Sequence, residues 1–130
     1  MGSDSVHQTQ HHAQLALDPN AIAALRDLLG HDAHALREII DEFLCAAPDC
    51  LAELRSAVAS GDAEAAARAA HTLKANAATF GAVALADRCR AVEAQARSGP
   101  GTADLAQVDA IAAEWVHVDA GLRAVRPGAA

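Results

Sequence analysis

The sequence predicts an all-α protein, an up-and-down antiparallel four-helix bundle with one or two short extra helices at its N-terminal side. Hydrophobic residues make up 52% of the 130-residue chain and aromatics only 2%, the composition of alanine-rich helices rather than of sheets or disordered tails. Apolar residues recur at steps of three and four, and the few glycines and prolines sit where such stripes end. Short connections between successive stripes favour antiparallel neighbours.

Residues 1–17 lack apolar periodicity and read as a flexible N-terminal segment or linker, part of it foreign to the domain. The domain is expected at 18–126. Its first helix is short: Asp18 suits the N-cap, Pro19 the first helical position and Gly30 the stop. Leu36, Ile39, Ile40, Phe43 and Leu44 mark a second helix running to Ala47, where Pro48 is expected to break or kink it. Leu51, Leu54 and Val58 continue the stripe to Gly61, a terminator, and Asp62, a cap for the next helix. That third helix runs to about Phe80. Gly81 breaks it, and Ala82 to Arg97 follows with Leu85, Cys89 and Val92 on one face. "SGPG" at 98–101 is a loop, and Thr102 is expected to cap a last helix bearing Leu105, Val108, Ile111, Trp115, Val118, Leu122 and Val125.

A net charge of −7 opposes binding to phosphate backbones and anionic lipid surfaces, so nucleic acid and direct membrane contact are not expected. No apolar run reaches the roughly 20 residues of a bilayer span, and the N-terminus is too polar for a signal peptide. The expected location is the cytoplasm, either free or tethered through a larger membrane-bound parent. Cys45, Cys50 and Cys89 form no CxxC and no even set, and read as small buried hydrophobes.

The run "AAHTLKANAATFGA" at 69–82 sets one histidine and one lysine among small residues. At about 100° per residue, Glu64, Ala67, Arg68, Lys74, Ala75 and Ala78 fall within about 60° of His71, while Ala66, Ala69, Leu73 and Phe80 fall on the other side. His71 is therefore expected at the surface, on a shallow patch. A neutral imidazole is a good nitrogen nucleophile near pH 7, its unperturbed pKa being about 6.5. Lys74 and Arg68 are placed to stabilise a transferred anion, and Ala67, Ala75 and Ala78 leave room for a second protein to press against the ring. Taken alone, a histidine on an alanine-rich helix is more often inert; its neighbours in sequence make the difference.

His71-Thr72-Leu73-Lys74, the small residues after it, Phe80-Gly81-Ala82, Leu85, Cys89 and Val92-Glu93 together resemble the histidine-containing phosphotransfer (HPt) domain. Its pattern is roughly H-x-L-K-G-S-S-x-x-L-G-A followed by L-x3-C-x2-L-E. The likeness spans 69–97. It implies that His71 accepts a phosphoryl group from a receiver-domain aspartate and passes it to another, that Lys74 helps to neutralise the group, and that Glu93 accepts from Nδ1–H and leaves Nε2 free. Ala75, Asn76 and Ala77 depart from the pattern. Ala75 is expected to tighten the approach of a receiver loop, and Asn76 to point toward the bundle and need a partner there.

No Gly-rich nucleotide loop, Walker-type motif or clustered aspartates are present, so a phosphocarrier without ATP-dependent kinase activity is expected, with no cofactor of its own and Mg²⁺ supplied by the partner receiver. The chain is expected to act as a monomer, and the linker-like lead-in suggests a domain of a hybrid sensor kinase. Two other readings compete. His7 with His11, and His31 with His34, have spacings suited to a metal, but no Cys or carboxylate set completes a site; with His12 and His117 they read as solvated polar residues. A docking module that binds a receiver without carrying phosphate is the other, and retention of His71 and Lys74 argues against it.

Overall fold

The computed structural model describes residues 16–128. Five helices follow one another: α1 Pro19–Leu28, α2 Ala33–Ser60, α3 Ala63–Thr79, α4 Val83–Ser98 and α5 Leu105–Val125. The four long helices close a ring in which α2 packs on α3, α3 on α4, α4 on α5 and α5 back on α2, while α1 leans on α2. This is the all-α bundle with one short N-terminal helix. Among the described residues no helix is long and apolar enough to cross a membrane.

The caps explain most boundaries. Asp18 accepts from the Asn20 amide at 2.9 Å, Asp32 from His34 and Ala35 at 3.0 and 3.2 Å, and Asp62 from Ala65 at 3.0 Å. Gly61 ends α2 in the left-handed conformation at φ +75°. Thr102 does not cap α5. Its hydroxyl turns back to the end of α4, toward the carbonyls of Gln95 and Gly99. The cap is Asp104, which accepts from the Gln107 amide at 3.0 Å while the Gln107 side chain accepts from the Asp104 amide at 3.0 Å.

Pro48 does not end its helix, and α2 continues through it to Ser60. The physical reason is tertiary. Ile40, Phe43 and Ala47 before the proline and Leu54 and Ala57 after it are all buried against the bundle, while Pro48 itself lies on the exposed side, where the Leu44 carbonyl can turn to water. Pro48→Ala is expected to raise stability by about 2 kcal/mol, a helix gain of about 3 kcal/mol offset by roughly 1 kcal/mol of added freedom in the unfolded chain. Urea denaturation checks this, and unchanged stability would reject it.

Leu73, Leu85, Val92, Ile111 and Leu122 are among the fully buried side chains, and Ala66, Ala69, Ala70 and Ala77 let α3 approach its neighbours closely. Phe43 stacks on Phe80 with centroids 5.3 Å apart, and Trp115 meets Phe43 edge-on at 5.1 Å. Ala16 and Leu17, assigned above to the lead-in, are buried in the core; the rest of that segment, with His7, His11 and His12, lies outside the described residues. Cys89 is buried as expected and Cys50 half-buried, its thiol on the Ala69 carbonyl at 3.2 Å, but Cys45 is exposed because it falls on the outer face of α2. Ile22 and Leu25 of α1 are buried, whereas Leu28 points outward.

Candidate functional site

Two adjoining helix faces build the site. On α3, Ala70 and Leu73 are fully buried, and His71 and Lys74, each one residue later, come to the margin of the packed face one turn apart. On α4, Ala86, Cys89, Glu93 and Ala96 form one buried stripe toward α3. Burial pushes the Cys89 thiol up to about 12, so it is an uncharged part of the site's floor.

Glu93 is the one buried charged residue among those described, and it is fully engaged. Oε1 accepts from Lys74 Nζ at 2.6 Å. Oε2 lies 3.0 Å from His71 Nδ1 and accepts from Arg97 Nη2 at 2.9 Å and Nε at 3.2 Å. The hydrogen bond from Lys74, and then those from Arg97 and His71, outweigh the cost of burial and hold the Glu93 carboxyl down at about 2. The carboxylate is therefore ionised at neutral pH and can only accept. Nδ1 must be the protonated nitrogen, and a neutral ring then carries its lone pair on Nε2. The His71 side chain is 57% exposed, so the ring is accessible.

Glu93 falls in acid from 4.5 to about 2, so its contribution to stability is complete above about 4.5 and is lost as pH falls toward 2. Urea midpoints of the chain and of Glu93→Gln are expected to differ at neutral pH in favour of the parent and to converge across that interval. A gap that does not narrow would show that the carboxylate's charge is not what stabilises.

The helix wheel located most of the neighbours. Arg68, Ala75 and Ala78 are exposed on the His71 side, and Arg68 and Arg97 border a shallow depression beside His71. Ala67 is only 5% exposed and, with Ala96 of α4, lines that depression as its floor rather than as a projecting contact. Asn76 is half-buried at the α2–α3 groove, and no buried side-chain polar atom among the described residues lacks a partner. Sequence reading missed Arg97, although its signal was present four residues after Glu93 in the last turn of α4, where a cation is also favoured by the helix dipole. The histidines at α1–α2 each face a carboxylate one turn away on the exposed surface, His31 Nε2 lying 2.9 Å from Asp27 and His34 Nε2 lying 3.0 Å from Glu38. Among the described residues no three potential metal ligands gather.

An accessible imidazole with a fixed Nδ1–H, a free Nε2 and two cations close by is suited to nucleophilic chemistry on an anion. The family model for the Hpt domain matches residues 38–126, and the chain belongs to that family. Its role is histidine phosphotransfer in phosphorelays. Among solved structures it is similar to the histidine-containing phosphotransfer protein B (HptB) of Pseudomonas aeruginosa PAO1, with 27% identity and a TM-score of 0.76 over 85% of this chain and 93% of that one. No curated protein matches.

Proposed function

We propose that His71 is the residue phosphorylated, that the donor and the acceptor are aspartates of response-regulator receiver domains, and that the chain works as a monomeric cytoplasmic carrier. The observation that carries this is the His71 ring, more than half exposed and held at Nδ1 by a buried, ionised Glu93. In the loading step the Nε2 lone pair attacks the phosphorus of the receiver's aspartyl phosphate. The P–O bond breaks with its electron pair passing to the aspartate carboxylate, and a P–N bond forms. The ring becomes cationic, still protonated at Nδ1 against Glu93, and the reverse sequence unloads it. Magnesium belongs to the receiver. Arg68, Lys74, Ala75 and Ala78 are the surface offered to it, over the Ala67 floor.

Transfer from purified, radiolabelled receiver domains tests the reading. Acid-labile, base-stable label is expected on the chain; binding without label would make it a docking module. Lys74→Ala is expected to slow transfer by roughly 10- to 100-fold, because the moving phosphoryl loses its nearest cation. An unchanged rate in single-turnover transfer would remove Lys74 from the mechanism.

A further inference from the structure

Glu93 divides its oxygens between two duties. Oε1 serves Lys74 alone, whereas Oε2 is shared by His71 Nδ1 and the Arg97 fork. With the ring neutral, the cluster of Glu93, Lys74 and Arg97 carries one net positive charge. Loading His71 adds a dianionic phosphoryl group on Nε2 and a positive charge on the ring, which brings the cluster to neutrality.

The new group competes with Oε1 for the Lys74 ammonium, and a flexible lysine stem permits the exchange. Were Lys74 the carboxylate's sole cation, its departure would leave a charge only 9% exposed without compensation just as the ring needs it most. Arg97 prevents this. Its Nε and Nη2 both grip Oε2, the oxygen facing the imidazole, and its planar fork suits a fixed position. An exposed i,i+4 ion pair ordinarily does little. This one shares its acceptor atom with the orienting hydrogen bond of the nucleophile.

We propose that Arg97 is a positioning residue that keeps Glu93 Oε2 on His71 Nδ1 while Lys74 moves from Oε1 to the phosphoryl group. The proposal rests on His71 being the phosphoryl acceptor. It assigns separate tasks to two cations that otherwise look interchangeable, Lys74 mobile and Arg97 fixed.

The test uses ¹⁵N spectra of the His71 ring, in which the two ring nitrogens of each neutral tautomer are told apart. Lys74→Ala imitates a lysine that has left, and the ring is expected to stay in its Nδ1–H form. Adding Arg97→Ala should turn it into a mixture of both tautomers, and Arg97→Lys in the same background should recover part of the preference. A double variant that keeps the single tautomer overturns the proposal, as does its loss in Lys74→Ala alone. Lys74 is the only lysine in the chain, so labelled lysine gives one side-chain signal to follow. On loading with phosphoramidate that signal is expected to shift while Nδ1–H persists, and in Arg97→Ala the Nδ1 proton should exchange with water at least about tenfold faster. A stationary lysine signal on a loaded chain overturns the exchange. Absence of a phosphohistidine resonance in the unmutated chain overturns the reading of His71 itself and the exchange with it, a result the resting-state spectra tell apart.

Discussion

His71→Gln is expected to abolish acid-labile labelling by phosphorylated receivers, to background, while leaving the helical content and the unfolding midpoint nearly unchanged. The two halves have separate causes. Glutamine has no nucleophilic nitrogen, since its amide lone pair is delocalised into the carbonyl, so no P–N bond can form. The side chain at 71 is 57% exposed and carries none of the core, and substitutions at such positions ordinarily shift stability by about 0.5 kcal/mol or less. The glutamine amide can also donate to Glu93 in place of Nδ1–H, so the buried carboxylate keeps Lys74, Arg97 and a third donor. Label retained at the parental level would place the acceptor elsewhere. Loss of label together with loss of helix would leave the chemistry undecided, and circular dichroism on the same sample separates the two.

The largest expected effect on stability comes from a glycine remote in sequence from α1 and pressed against it. Gly81 has φ +67°, and a Cβ there would lie 2.6 Å from the Ala21 Cβ and 2.8 Å from the Asp18 Cβ. Its carbonyl also accepts from the Asp18 amide at 2.9 Å, so the α3–α4 turn and the cap of α1 are joined at this point. Gly81→Ala must bear a left-handed backbone and push α1 away, together about 3 kcal/mol. Gly61→Ala is the internal control: φ is +75°, but nothing lies within 4 Å of the added carbon, and only the backbone cost of about 1 kcal/mol remains. Equal losses in urea denaturation would mean that the contact with α1 contributes nothing.

These two glycines also mark the limit of what can be read without coordinates. That each ends a helix follows from local spacing. That one of them is pinned by Ala21 and Asp18 depends on a contact across 60 residues, which no periodicity encodes. The same division runs through the site. His71, Lys74 and Glu93 were legible because a turn-by-turn count puts the first two on one face and the family pattern picks out the third. Arg97 was overlooked because an i,i+4 arginine after a glutamate is common on exposed helices, and only the carboxylate's burial gives this one weight. The wheel puts Ala67 on the face of His71, but its burial in the depression that it lines with Ala96 depends on another helix. Pro48 misled for a related reason: local chemistry argues for a break, and side chains anchored on both sides of it decide otherwise. At Thr102 the error was local, as Asp104 with Gln107 three residues on was the stronger capping signal.

Phe43, Phe80 and Trp115 are all the aromatic residues of this tyrosine-free chain, and they meet in one cluster drawn from α2, the C-cap of α3 and α5. The protein is consequently almost transparent in the near ultraviolet apart from a single indole, and that indole sits where three helices converge. Its emission is a built-in gauge of tertiary assembly. A shift to longer wavelength reports that those helices have parted, even in a state whose helical content is intact, so the unfolding of every variant described above can be followed with no added dye.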